Sequence, residues 1–75
     1  MARPLVLAKD YQQFCHARQE YKETLRDAIY VSTPQTLLGR SADAVVYSYG
    51  PAHENPHYDE YMMYLQSIGI RVQYI

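Results

Sequence analysis

The sequence has no tryptophan, one phenylalanine, one cysteine and little net charge. Its longest apolar runs span only a few residues, whereas a membrane helix needs about 20, so we expect no membrane attachment. The lone Cys15 cannot form an internal disulfide, which is typical of a reducing, cytoplasmic setting. The first four residues lack the apolar core of a signal peptide, which favours the same location. A net charge of −1 offers no basic face for nucleic acid.

The 75 residues instead repeat one pattern, an apolar run followed by a helix start. The length allows a single domain over residues 1–75. The apolar runs predict strands at about residues 4–8, 28–32, 43–49 and 70–75. Strands that alternate with helical patterns predict an α/β domain with a mostly parallel sheet.

Helix signals lie between these strands. Asp10 is a typical N-cap, with Gln13 at capping-box spacing. Thr33-Pro34 and Asn55-Pro56 each combine a cap with a proline in the first helical position. The apolar stripe of the first helix comprises Tyr11, Phe14, Cys15, Tyr21 and Leu25. The second helix holds Leu37 and Leu38 and ends at Gly39, and the third holds Tyr58, Tyr61, Met62, Leu65 and Ile68 and ends at Gly69.

The two most apolar strands, the first and third, belong at the centre of the sheet. Right-handed crossovers then predict the strand order 2-1-3-4, with the first helix on one face and the other two on the opposite face. Ligands of open parallel sheets bind at the carboxyl edge, near the point where the strand order reverses.

The residues expected at that edge form a candidate ligand loop. They are Asp10, Thr33, His53, Glu54, Asn55 and His57. The chain has neither G-x-x-x-x-G-K-[ST] nor G-x-G-x-x-G to wrap a phosphate, and we expect no cofactor. A binder of small molecules or anions, such as a nucleotide or a metal ion, is the alternative function.

The run from His53 to His57 has the letters of the zinc-protease motif H-E-x-x-H. That chemistry needs both histidines on one helix face, and Pro56 between them interrupts a helix. A looser metal site built from His53, His57 and either Glu54 or Asp59 is the remaining metal hypothesis. We expect these side chains to be exposed polar residues around a helix start, and we predict no metal site.

Cys15 and His16 are adjacent and therefore point about 100° apart on a helix, which does not suit a nucleophile and its base. We expect Cys15 to act as a small buried apolar residue. No other catalytic constellation stands out, so the sequence predicts a protein that is not an enzyme.

Nine tyrosines are more than a domain of this size is expected to bury. Tyrosine is enriched in protein interfaces, where it offers a large contact area at low entropic cost. Five tyrosines near the carboxyl edge and the last helix are predicted to form an interaction surface. They are Tyr47, Tyr49, Tyr58, Tyr61 and Tyr64.

A resemblance to known proteins lies in residues 29–34, in Val45-Val46-Tyr47, and in Asn55-Pro56-His57 followed by a final helix, a glycine and a strand. These parts of the chain resemble small uncharacterised α/β proteins encoded by actinobacterial phages. The resemblance covers most of the chain from residue 28 onward. It implies a viral protein made in the host cytoplasm that binds a host component. The pattern is also similar to one half of a Rossmann-like domain without the phosphate loop.

The last predicted strand alternates apolar and polar residues, which is typical of a sheet edge. It carries no proline or lysine to prevent pairing with another chain. A homodimer that buries Tyr74 and Ile75 across a twofold axis is therefore predicted, and a monomer with Ile75 folded back on the sheet is the alternative. The sequence as a whole predicts a non-enzymatic protein-interaction module that binds a host protein or itself.

Overall fold

A computed structural model describes residues 3–37 and 44–75 of the chain. The elements in chain order are β1 (Leu5–Leu7), α1 (Tyr11–Glu20), β2 (Ile29–Tyr30), a first 3-10 helix (Pro34–Leu37), β3 (Val46–Ser48), a second 3-10 helix (Ala52–Glu54), α2 (Tyr58–Ser67) and β4 (Val72–Tyr74). The four strands form one sheet with the order β2-β1-β3-β4, and each neighbouring pair is parallel. The predicted α/β class and the strand order 2-1-3-4 are confirmed.

β1 lies at the centre because every one of its side chains is apolar and buried. Alternate residues of a strand face opposite sides, so the sheet divides the core into two clusters. The α2-face cluster contains Leu5, Leu7, Val31, Leu37, Val46, Ala52, Tyr61, Leu65 and Ile70. The α1-face cluster contains Val6, Ala8, Phe14, Ala17, Leu25 and Ala28. The prediction that the first helix and the last helix lie on opposite faces of the sheet is therefore confirmed.

The start of α1 and the end of α2 both follow the predicted capping residues. The Asp10 carboxylate accepts a hydrogen bond from the backbone N–H of Gln13 at 2.9 Å, as the predicted N-cap of α1 should. Gly69 follows α2 with φ of +80°. Its N–H donates to the carbonyl oxygen of Gln66, and the N–H of Ile70 donates to that of Leu65. This is the Schellman pattern, which requires a left-handed residue at Gly69.

Several predicted boundaries were wrong. α1 ends at Glu20 rather than near Leu25, and residues 21–27 form turns in which the side chain of Arg18 donates to the carbonyl oxygen of Arg26 at 3.1 Å. The second helix begins at Pro34, as predicted, and is a 3-10 helix over Pro34–Leu37. Its predicted continuation through Leu38 to Gly39 and the predicted start of the third strand at position 43 lie outside the described residues.

The start of α2 also differs from the prediction. The N-cap is His57, without a side-chain cap bond, and Tyr58 is the first helical residue. Asn55 instead turns the chain before the helix, because its side-chain oxygen accepts a hydrogen bond from the N–H of His57 at 2.8 Å. This is an Asx turn, which competes locally with the capping geometry.

Candidate functional site

The carboxyl edge of the sheet is closed by Asn55. This residue is 8% exposed, and its amide donates hydrogen bonds to the carbonyl oxygens of Ala8 at 2.9 Å and Lys9 at 3.3 Å. Those carbonyls lie where β1 ends, beside β3, and the strand order reverses between these two strands. The amide that was predicted as a ligand group therefore holds the segment after β3 against the end of β1.

Three other residues of the candidate ligand loop, Asp10, Glu54 and His57, have partners of their own. Asp10 caps α1, so its carboxylate already occupies the position where an anion would meet the helix N-terminus. Glu54 pairs with Lys9 at 3.8 Å, and His57 pairs with Glu60 at 3.8 Å, all four side chains being about half exposed. Surface pairs of this kind contribute little, about 0–1 kcal/mol each.

Thr33 and His53 are exposed. The Thr33 hydroxyl lies 3.5 Å from that of Thr36 in the first 3-10 helix. The structure thus brings Glu54 and Asn55 to the end of β1, while the Thr33 hydroxyl contacts the 3-10 helix that follows it.

The two histidines of the H-E-x-x-H pattern, His53 and His57, do not lie on one helix. His53 belongs to the second 3-10 helix, and His57 precedes α2. Pro56 separates the two helices, as predicted from its missing N–H. Within residues 3–37 and 44–75, no three His, Cys, Asp or Glu side chains are grouped so that they could hold a metal ion.

The five predicted surface tyrosines do not form one surface, which corrects that prediction. Tyr47 and Tyr49 pack on the α1-face cluster, whereas Tyr58 and Tyr64 pack on the α2-face cluster. Strand parity places them apart, since Val46 and Ser48 are the β3 residues that turn toward α2.

Tyr61 is a core residue, with 0% of its surface exposed. Its hydroxyl donates to the carbonyl oxygen of Val31 at 3.4 Å. Burial raises the pKa of the Tyr61 phenol, and the nearby Tyr30 and Glu60 act in the same direction. Its place in the predicted interaction surface is therefore wrong, because the ring sits at the centre of the buried stripe of α2.

Tyr49 is tied to α1. Its hydroxyl donates to the Glu20 carboxylate at 2.7 Å, and its ring packs edge-on against Tyr21 with centroids 6.4 Å apart. The hydrogen bond to Glu20 is the main reason that the pKa of Tyr49 is raised. The bond also links the end of β3 to the end of α1.

Sequence reasoning missed two exposed apolar side chains. Tyr11 belongs to the predicted apolar stripe of α1 but is 60% exposed, and it contacts Phe14 and Tyr30 at centroid distances of 5.8 and 5.6 Å. Met63 is exposed on α2, although Tyr61 and Leu65 on the same helix are buried. The spacing of Met63, two residues from both Tyr61 and Leu65, was the available signal, because it lies off the stripe that those two residues define.

A shallow cavity of about 370 Å³ lies along the end of α1. Its lining residues are Cys15, Arg18, Gln19, Lys22 and Arg26. Arg18 is held in place by the Arg26 carbonyl and lies 5.8 Å above the Phe14 ring. Cations near a helix C-terminus stabilise the helix dipole, which accounts for this basic cluster. Cys15 is half-buried rather than buried, and His16 beside it is exposed.

The outer edge of β4 is a second candidate site. β3 is the only neighbour of β4 among the described strands. Ile75 directs both backbone groups toward β3, because its N–H donates to the Ser48 oxygen and its own oxygen accepts from Gly50. Backbone groups of alternate residues point to opposite sides of a strand. Gln73 therefore also faces β3, and Val72 and Tyr74 direct their N–H and C=O groups outward.

Tyr74 is the exposed tyrosine of this edge, with 69% of its surface accessible. It lies on the same sheet face as Val72, which packs on the α2-face cluster. Burial is the main reason that the pKa of Tyr58 is raised; a hydrogen bond with Ser48 acts in the opposite direction, and one with the Tyr74 hydroxyl adds to the rise. Ile75 does not share this exposure, because it packs on the α1-face cluster of its own chain. This partial packing is what the alternative, with Ile75 folded back on the sheet, expects. Burial of Tyr74 and Ile75 across a twofold axis stays a prediction.

None of the described helices is both long and apolar enough to span a membrane. Comparisons of the chain with protein-family models, with curated proteins and with solved structures give no match.

Proposed function

We propose that the protein is a non-enzymatic protein-interaction module that binds through the open edge of β4. The observation that carries the proposal is the outward direction of the Val72 and Tyr74 backbone groups beside the exposed Tyr74 ring. A sheet edge with free N–H and C=O groups binds an added strand through main-chain hydrogen bonds.

The two edges of the sheet are not equivalent. β2 has only two residues and is followed closely by Pro34, which cannot donate a ladder bond. β4 has no proline or lysine, the residues that commonly block such edges. The β4 edge is therefore the better surface for strand addition.

The resemblance to phage proteins adds an origin and a cellular location to this proposal. We propose a phage protein made in the bacterial cytoplasm, whose partner is a host protein or a second copy of itself. The alternative, a binder of small molecules or anions at the carboxyl edge, remains a prediction. We rank it second because the side chains of Asp10 and Asn55 are already engaged there.

Site-specific photo-crosslinking in bacterial cells tests the proposed surface. A benzophenone-bearing phenylalanine replaces Tyr74 in one variant and exposed His16 in the control. We expect a protein adduct from position 74 and none from position 16.

A second change tests whether the adduct depends on the backbone edge. Val72→Pro removes an outward N–H without removing a bond to β3, so it should abolish the adduct formed from position 74. An absent adduct at position 74, an equal yield at position 16, or an adduct insensitive to Val72→Pro would each contradict the proposed surface.

A further inference from the structure

We infer that the strand received by the β4 edge is β4 of a second copy, antiparallel to the first about a twofold axis at Gln73. The inference rests on the proposed function and names its partner and register. The two chains would together form a continuous eight-stranded sheet, since each chain contributes four strands. Three properties of β4 point to this occupant and this register.

The first property is the direction of the backbone groups. When Gln73 lies opposite its own copy, Val72 lies opposite Tyr74 of the second chain, and Tyr74 lies opposite its Val72. Val72 and Tyr74 are the two residues whose N–H and C=O groups point outward. Residues that exchange both bonds in an antiparallel ladder must lie directly opposite each other. This register therefore satisfies four hydrogen bonds at once.

The second property is the match of side chains on the α2 face. Tyr74 is largely exposed, and Val72 is half-buried beside it. Directly opposed residues of an antiparallel pair have Cβ atoms about 4.5–5.5 Å apart. Each Tyr74 ring would pack on Val72 of the other chain, an aromatic and β-branched pair of the kind that stabilises sheets.

The third property concerns the opposite face and its charge. The exposed Gln73 would meet its own copy, and a side-chain amide carries both donors and an acceptor. A symmetric pair of amides can therefore exchange hydrogen bonds, which a pair of like charges cannot. Arg71 is the one charged side chain of residues 70–75 and would lie opposite Ile75, so no two like charges of these segments face each other.

Disulfide trapping in purified protein tests the register. In a Cys15→Ala background, Gln73→Cys places two thiols at the axis, in a pair without backbone hydrogen bonds and with Cα atoms about 4.5 Å apart. That separation permits a disulfide. Arg71→Cys is the control on the same face, and its two copies would lie about 13 Å apart along the strands.

We expect oxidation to convert Gln73→Cys into a covalent dimer and to leave Arg71→Cys largely monomeric. A covalent dimer of Gln73→Cys supports the inference when the thiol-free Cys15→Ala chain forms no covalent dimer under the same oxidation. Equal trapping of the two variants, or no trapping at position 73, would overturn it.

Sedimentation of variants with native cysteine tests the hydrogen bonds. Tyr74→Pro removes one outward donor from each chain and leaves the bonds of β4 to β3 in place. Tyr74→Ala removes the same ring but keeps the N–H group, so it is the matched control. The two hydrogen bonds lost in Tyr74→Pro should make its dissociation constant roughly 30-fold higher than that of Tyr74→Ala. If Tyr74→Pro fails to fold, Val72→Pro removes the equivalent donor.

The outcomes separate this inference from the proposed function. A chain that sediments as a monomer at high concentration, but still gives an edge-dependent adduct with a different protein in cells, overturns the second copy and leaves the interaction module intact. A monomer that also gives no adduct from position 74 overturns both.

Discussion

Asn55 donates a hydrogen bond from its side-chain amide to the carbonyl oxygen of Ala8, 2.9 Å away and 47 residues earlier in the chain. The bond joins the segment before α2 to the end of the central strand. A second bond to Lys9 and the Asx turn to His57 use the rest of the amide. A buried side chain of this kind is costly to leave without partners, so its bonds fix the position of the segment.

We expect Asn55→Ala to lower the free energy of unfolding by about 2–3 kcal/mol, because it removes three hydrogen bonds and leaves buried carbonyl oxygens without donors. Asn55→Asp should cost at least as much at neutral pH, since a carboxylate cannot donate to the two carbonyls. Urea unfolding measures both. His53→Ala, at an exposed neighbouring position, is the control and should stay within about 0.5 kcal/mol of the original. A stability of Asn55→Ala equal to that control would show that the amide does not fix this segment.

The burial of Tyr61 gives a second prediction. Tyr61→Ala should destabilise the protein by about 3–5 kcal/mol, as expected for removal of a buried ring. Tyr61→Phe loses only the long bond to Val31 and should cost about 1 kcal/mol or less. Thermal or urea unfolding of the pair distinguishes a core residue from a surface residue. A Tyr61→Ala variant as stable as the original chain would show that Tyr61 is not a core residue.

The same burial predicts a fall in stability at alkaline pH. Burial raises the pKa of Tyr30, Tyr58 and Tyr61 above the ordinary value of 10.0. The unfolded chain therefore loses these phenolic protons first as the pH rises. The stabilising contribution is complete below about pH 10 and disappears as the pH passes through the raised values.

Urea unfolding over this pH range, with phenolate absorbance followed in parallel, measures the effect. Tyr61→Phe removes one contributing phenol, so its stability should fall less steeply with pH than that of the original chain. Unfolding free energies that stay constant above pH 10 would argue against raised pKa values in the folded state.

Much of the fold could be predicted because its signals are local. The β1 side chains identify a strand covered on both faces, and Asp10 and Gly69 mark a helix start and a helix end that the structure contains. The right-handed crossover rule then leaves few strand orders. The start of α2 was wrong because Asn55 has a long-range partner, and nothing local identifies a carbonyl oxygen 47 residues away.

The candidate site was less predictable for a related reason. The alternation of side chains along a strand predicts that Tyr47 and Tyr49 share one face of the sheet. It does not predict which of the two faces α2 covers, because that depends on the side chains that pack beneath the helix. Val46 and Ser48 fill that position, so the tyrosines turn toward α1. Counting tyrosines indicated that some must be exposed, and only the packing shows that Tyr74 is the more exposed and Tyr61 the buried one.

Gly69 provides a test of the backbone alone. A Cβ atom built at this position meets nothing within 4 Å, so Gly69→Ala causes no collision. The φ of +80° is still unfavourable for alanine, and we expect a loss of about 1–2 kcal/mol in urea unfolding. Gly69→Asn should lose less, because asparagine tolerates the left-handed region better. Equal stability of the glycine and alanine forms would mean that the Schellman turn does not require this conformation.

The final prediction separates the interaction module from the small-molecule alternative. We expect nucleotides, inorganic phosphate and divalent metal ions to leave the Tm unchanged, because Asp10 already caps α1 and Asn55 already closes the end of β1. A ligand present at 100 times its dissociation constant would instead add about 2.7 kcal/mol to the stability, an easily measured shift. Lys9→Ala is the control that locates any such shift, since Lys9 is a cation at the end of β1 and pairs only weakly with Glu54. A shift that disappears in Lys9→Ala would favour the anion-binding alternative at the carboxyl edge over the interaction module.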